Sequence, residues 1–217
     1  SMYRGDNLKK NPVKQFRMYY ARILYFAFLT NDDVMSLEDI INCLDKEDNV
    51  RIFNNLGLSK DVLTALHRNM DKFKLRILDY KIHNLNQLSH DKSIEPLERA
   101  MIANKKFGKL GESQVVTPSK VCDKMIAQLP EEFLKSCIDN KKRILDIASK
   151  EGEFALALCK RCEVLGYERS ARKDIIYSIP TSSISYEFTR KIYEVLNLNI
   201  DNIAEKFNSY DLLNIKT

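Results

Sequence analysis

RILDIASKEGEF, residues 143 to 154, is the stretch on which the fold turns. Ile144 to Ala148 is apolar and partly β-branched apart from Asp146, as in a short buried strand, and the next residues bring a turn, one glycine and a helix start. Downstream, a helix from about Gly152 to Leu165 sets Phe154, Leu158 and Cys162 on one face. A second strand, IIYSI (175 to 179), precedes a helix from Ser185 to Leu196, with Ile184, Phe188, Ile192 and Leu196 along one side. Strand and helix alternating at this spacing predict a parallel sheet with right-handed crossovers.

Upstream the pattern differs. FGKLGESQVVTP, residues 107 to 118, holds two glycines and a Thr-Pro pair and marks the domain boundary. Thr117 is suited to cap a helix opening at Pro118, with Val121, Met125 and Leu129 as its buried stripe. A short helix from Pro130 then leads into the charged turn DNKK. Before the boundary, Asn11 to about Lys109 reads as successive helices: Phe16 to Leu29 is apolar on most faces, as in a packed bundle helix. Ser36 and Asp39 resemble a capping box. Ser59 opens another helix, with Val62, Leu66, Met70, Phe73 and Ile77 recurring at three- and four-residue spacing. The expectation is a mostly α-helical domain over 1–106 and an α/β domain over 107–217.

The 217 residues are 44% hydrophobic and 30% charged, enough for one sizeable core or two modest ones. Only 6 Gly and 5 Pro argue against a turn-rich β sandwich. The net charge of +5 lies in the N-terminal half: residues 1 to 110 carry 19 Lys and Arg against 14 Asp and Glu, the remainder 16 against 16. A polyanion would be drawn there, although a solvated helical surface explains the surplus equally well. No apolar run approaches the ~18 to 20 residues that cross a bilayer. Five cysteines without a regular framework suit reduced thiols in a cytoplasm.

In a parallel sheet ligands bind beyond the carboxyl ends of the strands, which singles out Asp146 and Gly152. Alone, that stretch fits any strand-loop-helix crossover. Together with GESQVVTP it resembles two consecutive motifs of S-adenosylmethionine-dependent methyltransferases, specifically the adenine-N6 DNA methylases of restriction-modification systems. Gly111, Thr117 and Pro118 match a Gly-x-x-x-Thr-Pro helix start with a variable spacer. Asp146, Ala148, Gly152 and Phe154 fill their places in D-P-A-C-G-S-G-x-F. The resemblance covers about residues 107 to 215 and implies a partial Rossmann-like fold that binds S-adenosylmethionine. It sets the Thr117 region against the methionine end, Asp146 on the loop and the ammonium, Gly152 where backbone nears the ligand, and Phe154 beside the adenosine. Asp146→Ala and Gly152→Val are then expected to remove cofactor binding without unfolding the chain. Ile147, Ser149, Lys150 and Glu151 depart from the family's Pro, Cys, Gly and Ser.

The family's ribose-binding acid has two poor counterparts: Glu168 precedes the better strand, and IIYSIP ends in Thr181 and Ser182 without a carboxylate. In NSYDLL, Asp211 resembles the residue that reaches the adenine. The motif order matches the class in which Asp/Asn-Pro-Pro-aromatic follows, the motif that orients the amine of a flipped adenine and stacks on its ring. It is absent; Asn11-Pro12-Val13-Lys14 lacks the second proline and the ring. No catalytic residue is therefore assigned, and the chain is expected to be a fragment, inactive alone, of an enzyme acting on double-stranded DNA with a nuclease or helicase as partner. One rival is a degenerate module used for DNA binding or assembly, favoured by Lys150 and Glu151. Another is a methyltransferase acting on RNA, protein or a small molecule.

Cys159-Lys-Arg-Cys162 has redox or half-zinc spacing, but the two further soft ligands of a zinc site are missing, so packing is the better account. His67, His83 and His90 lie in the helical half. Basic residues interleave with aromatics in KQFRMYYARILYF, read here as core rather than a nucleic-acid strip. Neither G-x-G-x-x-G nor G-x-x-x-x-G-K-[ST] occurs.

Overall fold

The computed structural model of the chain describes residues 12–108 and 119–205, with side chains from Phe16 onward. It is mostly helical with one small parallel sheet, and it forms two compact units that divide between His90 and Asp91.

The first unit holds α1 (Pro12–Leu29), α2 (Leu37–Cys43), α3 (Glu47–Asn55), α4 (Lys60–Asn69) and α5 (Lys72–His90). From Ile23 to Leu29 every side chain of α1 is buried, and α1 packs along α5. The aromatics of KQFRMYYARILYF divide accordingly: Tyr25 and Phe26 are core, while Phe16 is 46% exposed. Ser36 caps α2 by accepting from the Asp39 amide at 3.1 Å. The reciprocal bond lands one residue early, on the Met35 amide, at 2.8 Å. Ser59 precedes α4 without a side-chain cap; its backbone N–H donates to the Tyr19 hydroxyl instead.

The run from Val62 to Ile77 is two helices, not one buried stripe. The chain extends at Met70 between α4 and α5, which rephases the two halves. Leu63, Leu78 and Ile82 are buried while Val62, Phe73 and Ile77 face outward. A three- and four-residue spacing that crosses a helix break does not define one face.

The second unit comprises α6 (Pro96–Gly108), α7 (Ser119–Ala127), α8 (Glu131–Asp139), β1 (Ile144–Ser149), α9 (Glu153–Val164), β2 (Ile176–Pro180) and α10 (Ser183–Leu196). Helix α6 belongs here although it precedes the glycine-rich stretch at 107. Its Phe107 meets Phe188 of α10 edge-on, centroids 5.2 Å apart, and Arg169 pairs with Glu95 just ahead of it. On α7 the buried residues are Cys122 and Ile126, one position on from the expected Val121 and Met125, which are exposed. Both sets satisfy helical spacing; packing against α9 selects between them.

Strands β1 and β2 run parallel, with Asp146 opposite Ser178. On the far side of β2, Ile203 makes a parallel bridge to Ser178, so three parallel segments stand in the order Ile203, β2, β1. Helices α9 and α10 pack on the sheet. On the α10 side Ser178 bonds the Tyr193 hydroxyl at 2.5 Å and Ser149 bonds Thr189 at 2.9 Å. The opposite face carries Leu145 (52% exposed), Ile147 (59%) and Tyr177 (38%). The helix-facing side thus mixes polar Asp146, Ser149 and Ser178 with buried Ile176, while apolar side chains also face outward, unlike a half-solvated sheet. No helix among the described residues is long and apolar enough to cross a membrane.

Candidate functional site

The loop from Lys150 to Gly152 joins the carboxyl end of β1, which carries Asp146, to the amino end of α9. Gly152 precedes α9 in the left-handed region, φ 69°, where side chains other than glycine are strained. A Cβ there would also lie 3.0 Å from Ile192 Cγ2 of α10. The glycine is therefore fixed by backbone conformation and by the close approach of α10, a packing demand that stands apart from any ligand.

Three carboxylates gather about this loop. Asp146, Glu151 and Glu153 are 9%, 4% and 4% exposed. Glu153 accepts from the Glu151 amide at 2.8 Å, and the Glu151 carbonyl accepts from Asn104 of α6 at 3.1 Å. Asp146 Oδ2 and Glu151 Oε2 are buried without a hydrogen-bond partner. Burial, and next the Glu153 carboxylate, push Asp146 up to about 6, against the pull of the Ala148 amide and the Ser149 hydroxyl. The same two causes push Glu151 up to about 7, with Lys150 opposing.

Of the residues carried over from the resemblance, Asp146 and Ala148 lie on β1, Gly152 ends the loop and Phe154 stands in the first turn of α9. Asp146 and Gly152 are buried, Phe154 is half-buried and Ala148 is exposed. Gly111, Thr117, Pro118 and Asp211 lie outside the described residues. Glu168 is exposed ahead of a short 3-10 turn (Arg169–Arg172), well before β2. Beyond β2, the Thr181 amide donates to the Ser149 carbonyl at 3.1 Å, drawing the two strand ends together, and Ser182 caps α10. The hydroxyls of Thr181 and Ser185 lie 3.3 Å apart.

In the sequence Glu151 stands out as a departure from the family pattern that favours a degenerate module, and Glu153 does not stand out at all. The E-G-E triplet was visible, but nothing in it says that both carboxylates turn inward. Glu151 also lines a cavity of about 710 Å³ between α6, α7 and α9, whose apolar walls are Met101, Ile102 and Leu156. Cys159 and Cys162 are both buried and free, and burial lifts the Cys159 thiol to about 12, which suits packing rather than redox work. Among the described residues no group of three or more His, Cys, Asp or Glu is arranged to hold a metal ion.

Comparison with protein-family models, with curated proteins and with solved structures finds no match for this chain.

Proposed function

We propose that the second unit is part of a Rossmann-like S-adenosylmethionine-binding domain and that the chain belongs to a methyltransferase of the adenine-N6 DNA type. The observation that carries this reading is a parallel strand bearing Asp146 whose carboxyl end passes, through the short loop Lys150 to Gly152 and a left-handed glycine, into α9. The order Ile203, β2, β1 agrees with it, since half of a doubly wound sheet builds outward in that sense. So does the apolar outer face, because parallel sheets are covered on both sides.

The residues suit the cofactor's cationic end: Asp146 Oδ2 and Glu151 Oε2 are acceptors without donors, and an ammonium would supply donors. The cofactor brings a methyl group activated on sulfonium. This chain's part is to bind and orient it: the carboxylates at the loop, Phe154 at the start of α9, and Thr117, Pro118 and Asp211 by resemblance. Without an Asp/Asn-Pro-Pro-aromatic motif, the chain alone is not expected to transfer the methyl group. Double-stranded DNA, and a nuclease or helicase, are the partners this reading implies, in a cytoplasmic setting.

Calorimetric titration with S-adenosylmethionine and S-adenosylhomocysteine, with ATP as control, tests the reading. Binding of the first two alone supports it. A second reading, a degenerate module for DNA binding or assembly, is favoured by the buried Glu151 in a loop where the family has small residues. DNA binding without cofactor binding would select it. Cofactor binding with methylation of RNA, protein or a small molecule, but not DNA, by the whole enzyme would keep the fold and move the substrate.

A further inference from the structure

The cavity between α6, α7 and α9 has an acidic floor and a partly basic rim. Glu151, 4% exposed, is its one deeply buried charged side chain, whereas Lys105 and Lys120 are exposed at its edge. Glu151 Oε2 has no hydrogen-bond partner and lies 3.6 Å from where a Cβ on Gly108 would stand. Glycine therefore leaves room beside the carboxylate, on a wall of the same cavity. A buried carboxylate oxygen without a donor is costly unless it is protonated or meets a cation.

We propose that Glu151 receives the ammonium group of a zwitterionic, amino-acid-bearing ligand whose carboxylate turns toward Lys105 and Lys120 and whose apolar portion lies along Met101, Ile102 and Leu156. This rests on the S-adenosylmethionine reading for the choice of ligand and departs from the resemblance, which gave the ammonium to Asp146. Glu151 is a position at which the chain does not follow the family pattern, so the assignment is particular to this chain.

The charged groups around Glu151 come from every neighbouring element. Glu98 is on α6 with Lys105, Lys120 is on α7, Glu153 and Lys160 are on α9, Lys150 is in the loop, and Asp146 is on β1. Lys160 is engaged with Asp123 at 3.5 Å. Glu153 disfavours a second negative charge on Glu151, and burial disfavours it more. Without ligand, Glu151 therefore holds its proton up to about neutrality. Binding an ammonium expels that proton, so affinity rises with pH until Glu151 is already ionised.

The test is calorimetry on the 217-residue chain at pH 6 and pH 8, with S-adenosylhomocysteine and with 5′-methylthioadenosine, which lacks the amino-acid end. The expected result is S-adenosylhomocysteine binding about tenfold tighter at pH 8 than at pH 6, with methylthioadenosine equal at both. Glu151→Gln should bind S-adenosylhomocysteine about tenfold more weakly at pH 8 and lose the slope, whereas Asp146→Asn keeps the larger part of it. The wild-type contrast between the two ligands decides even if a variant fails to fold. Binding of both ligands with flat profiles would leave the methyltransferase reading standing and overturn the role of Glu151. Binding of neither at either pH would overturn both.

Discussion

At Gly152 two independent constraints meet in one residue, and they predict different chemistry from a ligand contact. Gly152→Ala must hold an L side chain at φ 69° and press its methyl against Ile192. Together these should cost about 1–3 kcal/mol, read as a fall in the urea midpoint with cofactor absent. Gly152→Val, expected from sequence to remove binding while sparing the fold, should now lower stability further. Pairing Gly152→Ala with Ile192→Ala should give less than the sum of the two losses, because the second change removes the nearest obstructing atom, the Ile192 Cγ2 methyl. Strict additivity would exclude the steric part. The buried carboxylates on either side of this turn, Asp146 on β1 and Glu151 in the loop, make a second prediction. Asp146 and Glu151 hold protons more tightly folded than unfolded, so their contribution is greatest in acid and is lost as pH rises through about 6 and about 7. The melting temperature should therefore fall from pH 5 to pH 8, and Glu151→Gln should flatten much of that fall. An equal slope in the variant would mean that another group titrates.

Between elements, single polar side chains do the joining that helix spacing leaves open. Asn86 of α5 donates to the carbonyls of Ala27, at 3.0 Å, and Asp32, at 2.8 Å, and accepts from the Val34 amide at 3.1 Å. It thereby ties the end of α1 and the following turn to α5. Asn86→Ala strands one buried amide and leaves two carbonyls unpaired, a loss of about 2–4 kcal/mol in denaturant unfolding. A loss below about 1 kcal/mol would mean that water replaces the side chain. Ser178 and Tyr193 make a comparable joint between β2 and α10. At this scale the sequence was legible where one element has one apolar face. Phe188, Ile192 and Leu196 are buried along α10 as their spacing predicts. It was illegible where two stripes fit equally, as Val121/Met125 and Cys122/Ile126 do on α7, or where a break intervenes, as at Met70.

For the molecule as a whole, the informative feature is a parallel sheet clothed on one side. Leu145 and Ile147 lie on its outer face at more than half exposure, while Leu158 beneath α9 is fully buried. Leu145→Ser and Ile147→Thr should each change stability by less than about 0.5 kcal/mol, whereas Leu158→Ala should cost about 2–5 kcal/mol. Guanidinium unfolding of the three variants checks the contrast. A large loss at Leu145 or Ile147 would mean that this face is covered in solution.

The succession of elements was legible in the chain alone: helices up to the charged turn at 139–142, then strand, helix, strand, helix. Element type follows from local quantities such as apolar periodicity, the Ser36 cap and the glycine after β1, although the buried stripe of α7 and the missing side-chain cap at Ser59 do not. It took the packed fold to show that α6 joins the second unit through Phe107 and Phe188, that Gly152 answers to Ile192, and that Glu151 and Glu153 turn inward beside Asp146. Each of these depends on a partner distant in the chain. A residue's burial, and with it the proton affinity of a carboxylate, is set by what packs against it and not by its neighbours in sequence.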